Sequence, residues 1–438
     1  MREYDIVIIG AGAAGLAAAI FSAEAAQKKN ASPAIVVLDS ARKVGAKILV
    51  SGGGRCNVTH DDVSPEDFNG PRNIVRNILA AFNEQATVRW FESLRVPLKR
   101  EDTGKLFPVS DSARTVLHAL LRRCEELGVA ILTEHRVVDV APLISPHAGL
   151  LSQGGERFSA YARDEIFTVR WESGALPARR VILATGGRSL PKTGSDGSGW
   201  EIVRRLGHAV TTTVPALVPL VLQEAMFHAE LSGISVTVEF STFVNGKVID
   251  RRTGSLLWTH FGVSGPVVMD ASRHWTLARV NGQEVKIQCN FFPGRSFEEV
   301  EKWLITAAAA RPRGTMSNLL AEHLPERLAR ALLQKAGVEP GVQLGQLTRE
   351  QRRLLTHAFT SFVLPVERDR GWNFAEVTAG GVPLQEIDYR TMESRKVPGL
   401  YLIGEMLDCD GRIGGFNFQW AWATGYLAGR ACAKSTAP

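Results

Sequence analysis

YDIVIIGAGAAGLAAAIFSAEAAQ, residues 4–27, decides the fold. Residues 4–9 are a short apolar run, the pattern of a parallel strand buried on both faces. It runs into Gly10-Ala11-Gly12-Ala13-Ala14-Gly15 and then an alanine-rich helical stretch, Leu16 to Gln27. A second apolar strand, Ala34 to Leu38, follows and ends at Asp39. Strand, glycine turn, helix and strand make one βαβ unit. Glycines spaced G-x-G-x-x-G in that context allow a tight turn, close approach of backbone to a pyrophosphate, and helix–sheet packing. The helix N-terminus offers free N–H groups to the anion. Asp39 is placed to accept hydrogen bonds from an adenosine ribose and disfavours a ribose 2′-phosphate; an aspartate that merely caps the turn is the plainer alternative. Together these predict an α/β fold that binds a dinucleotide.

The rest of the chain bounds the reading. At 438 residues it is long enough for two or three domains. Apolar content of 45%, charged content of 22% and a mean hydropathy near zero are those of a globular protein, neither disordered nor membrane-spanning. The +6 balance of 51 basic against 45 acidic residues is scattered in pairs such as Arg122-Arg123 and Arg179-Arg180, so nucleic-acid binding is weakly motivated and a solvated basic surface is the simpler reading. Five cysteines, Cys56, Cys124, Cys289, Cys409 and Cys432, show no C-x-x-C spacing. They predict no metal site and no disulfide framework, as a reducing cytoplasm allows. The N-terminal apolar stretch is expected to be buried strand and helix, not a signal peptide.

Helical spacing over residues 112–127, then Gly128 and an apolar strand, repeats the helix-to-strand step, and the strand Arg180–Leu183 runs into Ala184-Thr185-Gly186-Gly187. From there the texture changes. Val236, Val238 and Phe240 share one face, Asn245-Gly246 signals a hairpin, and Val285, Ile287, Cys289 and Phe291 alternate likewise. Three amphipathic stretches follow, beginning at Phe297, Asn318 and Thr348. The α/β texture returns with the strand Leu400–Ile403 and a closing helix from Asn417. The expected organisation is a discontinuous Rossmann-like domain over residues 1–195 and 362–438. It is interrupted by an antiparallel, barrel-like β insertion over 196–293 and a small helical insertion over 294–361.

A second glycine loop separates FAD from NAD. Lys47 to Thr59 reads KILVSGGGRCNVT. Gly52, Gly53 and Gly54 bring backbone close to a flat or charged ligand while Arg55 and Asn57 supply donors, a loop that an NAD-only domain has no use for. The C-terminal Gly404-Glu405 and Asp408-x-Asp410-Gly411 follow a strand where they can reach a ribityl chain. Gly414-Gly415-Phe416-Asn417-Phe418 opens the last helix, whose positive end suits the anion that forms on the pyrimidine side of a reduced flavin.

With these motifs the chain resembles the bacterial BaiN/RdsA-type FAD-dependent oxidoreductases, a three-domain flavoprotein family. The likeness extends through Gly104-x-x-Phe107-Pro108, Gly194-Ser195 and Pro215 to Pro219. It continues through Thr259-His260-x-Gly262-x-Ser264-Gly265-Pro266, Thr378-Ala379-Gly380-Gly381-Val382 and Thr391-Met392-Glu393-Ser394. The resemblance implies an FAD domain built from both termini and an insertion near the substrate. The expected cofactor contacts are Gly10, Gly12, Ala13, Ala14, Gly15, Asp39, Ser40, Lys47, Ser51, Gly52, Gly53, Arg55, Cys56 and Asn57. They continue with Ala184, Thr185, Gly186, Gly404, Glu405, Asp410, Gly414, Gly415, Asn417 and Phe418. His60 departs from the family's usual Asn and is left out.

Chemistry beside a flavin needs a group that moves a proton. His260, in a Gly-flanked segment, is the first candidate, with a structural histidine as its alternative. Cys56 reads as a packing residue more readily than as a redox thiol. The expected activity is hydride transfer between FAD and a small organic substrate, by oxidation of an amine or C–H bond or by NAD(P)H-linked C=C reduction. No second G-x-G-x-x-G appears, so NAD(P)H would dock transiently. An RNA-directed flavoprotein and a non-catalytic flavin-binding protein are the alternatives. No membrane partner is expected, and no feature assigns an oligomeric state.

Overall fold

The computed structural model of the chain describes residues 4–142 and 167–435. The chain divides into two compact units, residues 1–213 with 377–438, and residues 214–376.

The first unit is built on the strand Tyr4–Ile9, which pairs in parallel with Ile35–Leu38 on one side and Gly174–Leu183 on the other. Ala130–Leu132 extends the parallel sheet beyond the second strand, and Leu400–Leu402 extends it beyond Gly174–Leu183. Residues 6–9 and 35–38 are all buried, as strands covered on both faces must be. The chain thus returns from its C-terminal third to place Leu400–Leu402 two strands from its own beginning.

Two helices fasten the ends together. Ala13–Gln27, after the glycine loop, packs against the closing helix Phe416–Ser435 through small residues. A Cβ on Gly425 would lie 2.8 Å from the Ala14 carbonyl oxygen, and one on Gly429 would lie 2.6 Å from that of Ala18. The helix backbones therefore touch where glycine faces alanine, closer than larger side chains permit.

The second unit carries a seven-stranded antiparallel sheet in the order Phe362–Leu364, Val285–Asn290, Ser235–Val244, Lys247–Thr259, Gly262–Ser264, Leu220–Leu222, Val366–Asp369. Its two edge strands are joined through Pro365 alone, so the sheet must curl until its edges approach, which is the barrel-like form expected. Asn245 and Gly246 turn the long hairpin with φ of 48° and 78°, both positive as a type I′ turn requires.

Two local expectations are corrected. A 15-residue helix, Pro266–Val280, stands inside the segment read as β. Gly265-Pro266 starts it, since proline at the first helical position costs no hydrogen bond. The amphipathic stretch from Asn318 to Gly337 is two helices, Met316–Ala321 and Glu326–Lys335, because Pro325 cannot continue the first. The helices Arg72–Ala81 and Glu84–Ser93 were not foreseen.

The contact boundaries fall at 213/214 and 376/377, where the sequence reading draws 195/196 and 361/362. Residues 198–205 form a helix whose following His208 is hydrogen-bonded to Glu386 and Ser394, which keeps this stretch with the first unit. Val366–Asp369 pairs with Leu220–Leu222 and stays with the second. The helices Phe297–Ala310 and Arg349–Thr360, each opened by a capping box, share one core with the curled sheet. β and helical segments therefore form a single unit.

Candidate functional site

The site begins at the C-terminal end of the first strand, where a parallel sheet presents its loops to a ligand. Gly10 has φ 105°, and a Cβ there would lie 2.4 Å from the Ala184 carbonyl oxygen, so the glycine loop runs hard against the loop after Gly174–Leu183. A Cβ on Gly15 would stand 1.9 Å from the Gly10 carbonyl oxygen. Gly12 differs: its φ is an ordinary −83° and a Cβ would meet no atom within 4 Å. Gly12 caps Ala13–Gln27 without any side-chain hydrogen bond, and the first turn of that helix carries no acidic residue. Its N–H groups and positive end are left for an anion from outside.

Asp39 Oδ2 accepts the Ala11 N–H at 2.6 Å and Oδ1 accepts the Ala41 N–H at 2.8 Å. The carboxylate thus holds the glycine loop in shape, and each oxygen keeps a second lone pair for a ribose hydroxyl. Ser40 beside it is exposed.

The second glycine loop and the start of the closing helix come together. Gly52 and Gly53 adopt left-handed φ of 55° and 68°. Asn57 is buried, and a Cβ on Gly415 would lie 2.9 Å from its Oδ1 and 2.7 Å from the Thr59 carbonyl. Thr59 Oγ1 donates to Gln419 Oε1, and Trp422 Nε1 donates to the Val58 carbonyl. His60 stacks on Phe416 at 4.9 Å. Asn417 bridges the loop before its helix, accepting the Gly411 N–H and donating to the Gly411 carbonyl, while Phe418 stacks on Trp422. Asp410 is buried and accepts from Asn69 Nδ2 at 2.9 Å.

The two basic side chains among the expected contacts are both ion-paired within the protein. Arg55 is paired with Glu101 at 2.5 Å and lies over the Phe107 ring. Lys47 is paired with Glu405 and also donates to Ser189 Oγ. Glu405 Oε1 accepts from Ser189 Oγ and from the Thr378 N–H, and Thr378 Oγ1 accepts the N–H groups of Arg188 and Ser189. Lys47, Ser189, Thr378 and Glu405 thus form one polar network fed by four separate segments. Sequence reasoning singled out Lys47 and Glu405 but not Ser189, and Thr378 only as part of a motif. A hydroxyl beside a glycine turn carries no pattern of its own.

Among the described residues, five buried side-chain polar atoms of this unit have no protein partner: Ser22 Oγ and Trp90 Nε1 belong to helices, whereas Asn57 Oδ1, Thr185 Oγ1 and Ser195 Oγ lie beside glycine turns. Gly186, with φ 73°, lies so near Ser195 that a Cβ would be 2.7 Å from its Oγ. Buried polar groups are nearly always satisfied, so orphans clustered around glycine turns suit a polar ligand that enters there. Ser51 Oγ, by contrast, donates to the Ile48 carbonyl at 2.7 Å. The open Gly12, the uncapped helix end and these orphans fit a dinucleotide. Cys56 does not behave as a reactive thiol: it is fully buried, and burial pushes its pKa up to about 12.

His260 lies in the second unit, exposed at the tight turn between the strands Lys247–Thr259 and Gly262–Ser264. Its ring meets Phe261 edge-on at 5.1 Å. Among the described residues no cluster suits a metal ion, and no helix is long and apolar enough to cross a membrane.

The family model described as the HI0933-like protein Rossmann domain matches residues 4–431. The chain is 35% identical to a 3-dehydro-bile acid delta(4,6)-reductase of Clostridium scindens, over 98% of this chain and 99% of that protein. It is 33% identical to a ribosomal RNA dihydrouridine synthase of Escherichia coli, over 99% and 98%. Among solved structures it is similar to a 3-ketosteroid-delta4-(5alpha)-dehydrogenase from Rhodococcus jostii, with a TM-score of 0.46, 16% identity, and coverage of 99% of this chain and 97% of that one.

Proposed function

The chain belongs to the HI0933-like Rossmann-domain family and is an FAD-dependent oxidoreductase, and from that premise we propose that it reduces a C=C bond conjugated to a carbonyl, with NAD(P)H as the reductant. The observation that carries the reading is that two relatives matched over nearly their whole length have names that each denote hydrogen added across a ring C=C bond, on otherwise unlike substrates. A shared reaction type is the economical inference. Oxidation of an amine has no such support.

FAD, when bound, supplies the hydride chemistry. The chain's own residues would do the rest. In this reading Gly10, Gly12, Ala13, Ala14 and Gly15 hold the pyrophosphate at the helix N-terminus, and Asp39 and Ser40 meet the ribose. Ser51, Gly52, Gly53, Asn57, Ala184, Thr185 and Gly186 face the cofactor. Lys47 and Glu405 shape the wall through Ser189 and Thr378, and Gly414 and Gly415 open the closing helix toward the pyrimidine side. His260 holds the proton that the substrate carbon needs.

A second reading, favoured by the 33% identity to the ribosomal RNA dihydrouridine synthase and a sequence pI of about 9.1, has uridine within RNA as the substrate. Both are tested together. The purified chain, with its FAD content measured, is reduced anaerobically with NADH and with NADPH. It is then reoxidised with a 3-oxo-4-ene steroid, with uridine nucleotides, or with unmodified ribosomal RNA. Reduction by NAD(P)H with reoxidation by an unsaturated carbonyl compound is expected. Bleaching by amines alone would overturn it, and reoxidation by RNA alone would select the second reading.

A further inference from the structure

The second unit holds an arginine whose side chain lies against two aromatic rings. The Arg370 guanidinium lies 4.1 Å from the centre of the Phe261 ring and 3.6 Å from that of Phe374. Two rings therefore clamp it. The clamp is fixed by backbone: Arg370 N–H donates to the Pro219 carbonyl, Phe261 carbonyl accepts the Leu222 N–H, and Phe374 N–H donates to Gly371. The nearest acid in sequence, Asp369, accepts the Gly371 N–H on Oδ1 at 2.6 Å. Among the described residues no carboxylate lies within ion-pair distance of Arg370, and no hydrogen bond engages its side-chain N–H groups. The contrast is Arg55, which also lies over a phenylalanine but is paired with Glu101.

A guanidinium stacked on aromatic rings still has its in-plane N–H edge to offer, and that edge matches the two oxygens of a carboxylate or phosphate. Clamping removes rotamer freedom during folding, so the group is preorganised before any ligand arrives. Phe374 is 46% exposed, an unusual exposure for so large an apolar ring. Phe261 continues the patch to His260. A bare surface cation–π contact would need only one ring and would leave the arginine mobile.

We propose that Arg370, held between Phe261 and Phe374, is a specificity-determining residue that binds an oxyanion carried by a substrate with an apolar or aromatic body. The guanidinium edge takes the carboxylate or phosphate, and the exposed Phe374 ring takes the body beside it. The proposal rests on the reading above only in calling that ligand a substrate.

The test is calorimetric titration of the full-length, FAD-loaded chain with two matched pairs of probes. One pair is a 3-oxo-4-ene steroid with a side-chain carboxylate and its methyl ester, and the other is uridine 5′-monophosphate and uridine. The charged member of at least one pair is expected to bind about tenfold tighter than its neutral partner, as a charge-assisted hydrogen bond implies. Which pair shows it tells carboxylate from phosphate. Arg370→Gln should erase that preference and leave the neutral member's affinity within about twofold, and Arg370→Lys should restore only part of it. A merely structural clamp would weaken both members alike and lower the thermal midpoint. An unchanged preference in Arg370→Gln, or no charged preference in the unmodified chain, binding of neither pair included, would overturn the proposal. FAD content and bleaching by NAD(P)H, read on the same samples, report separately on the function proposed above.

Discussion

A Cβ on Gly15 would stand 1.9 Å from the carbonyl oxygen of Gly10, a separation that no packing adjustment of either loop or helix can absorb without moving backbone. Gly12, between them in the same motif, has open space around the corresponding position. The two glycines therefore fail differently. Gly15→Ala should destabilise the chain by about 2 kcal/mol or more through forced displacement of the helix. Gly12→Val should leave the thermal midpoint of the flavin-free chain within a degree or two of the unmodified one, about the scatter of a neutral surface change. It should still lose FAD during purification. Flavin absorbance per chain, measured beside thermal unfolding, separates the two, and FAD retained at full occupancy by Gly12→Val would remove the pyrophosphate from that loop.

The strand, turn and helix at the N-terminus could be read from sequence because their signals are local: an apolar run, glycines at fixed spacing and an alanine-rich helix. Asn245-Gly246 was legible for the same reason. Pro266–Val280 was not, since Val267 and Val268 follow a strand directly and favour strand by themselves. The polar network was hidden because Ser189 and Thr378 lie 189 residues apart and meet only after the chain has returned. Arg370 was hidden likewise, since Phe261 stands far earlier in the chain, in the turn between Lys247–Thr259 and Gly262–Ser264.

The contact of the two terminal helices gives the second prediction. Gly429 faces Ala18 and Ser22 so closely that a Cβ would be 2.6 Å from the Ala18 carbonyl oxygen and 2.9 Å from the Ser22 nitrogen. Gly429→Ala raises helix propensity but forces the helices apart. The second effect wins, with a net loss of about 1–3 kcal/mol, read as a lower denaturant midpoint. A stabilised variant would mean the helices are not held this closely.

His208 supplies the pH dependence. Burial lowers its pKa, with Lys396 adding to the effect and Glu386 opposing it. Ser394 Oγ accepts the N–H groups of Lys396 and Val397, which leaves its proton for His208 Nε2, so the neutral ring donates from Nδ1 to Glu386. A folded-state value below 6.5 means that the unfolded chain binds the proton first. The contribution to stability is whole above that pH and is lost as pH falls below it. Glu386, itself lowered, adds a loss in the same direction under more acid conditions. The thermal midpoint of the unmodified chain should fall on acidification from about pH 7.5 to about pH 5.5, and that of His208→Gln should fall less. Parallel curves would refute the assignment.

All five cysteines are buried, and burial raises the thiols of Cys56 and Cys124 to about 12. At pH 8 such a thiol is ionised in about one molecule in ten thousand. A disulfide-exchange reagent should label none of them within minutes in the native chain and all five after unfolding. Rapid labelling of Cys56 in the native chain would reopen a redox role for it.

Lys47 and Glu405 have side-chain exposures of 27% and 17%, so their pair is neither freely solvated nor fully buried. Glu405 also holds Ser189 Oγ and the Thr378 N–H. Removing its charge strands more than one donor, whereas removing the lysine leaves the carboxylate with two protein partners. Glu405→Gln should therefore cost about 2–3 kcal/mol, Lys47→Met about 1 kcal/mol and Ser189→Ala about 1 kcal/mol. Losing both charges together strands neither, so the Lys47→Met, Glu405→Gln double variant should be less destabilised than the sum of its parts by about 1 kcal/mol. Denaturant unfolding of the four chains closes the cycle. Strict additivity would show that the ion pair contributes nothing and that Glu405 acts through Ser189 and Thr378 alone.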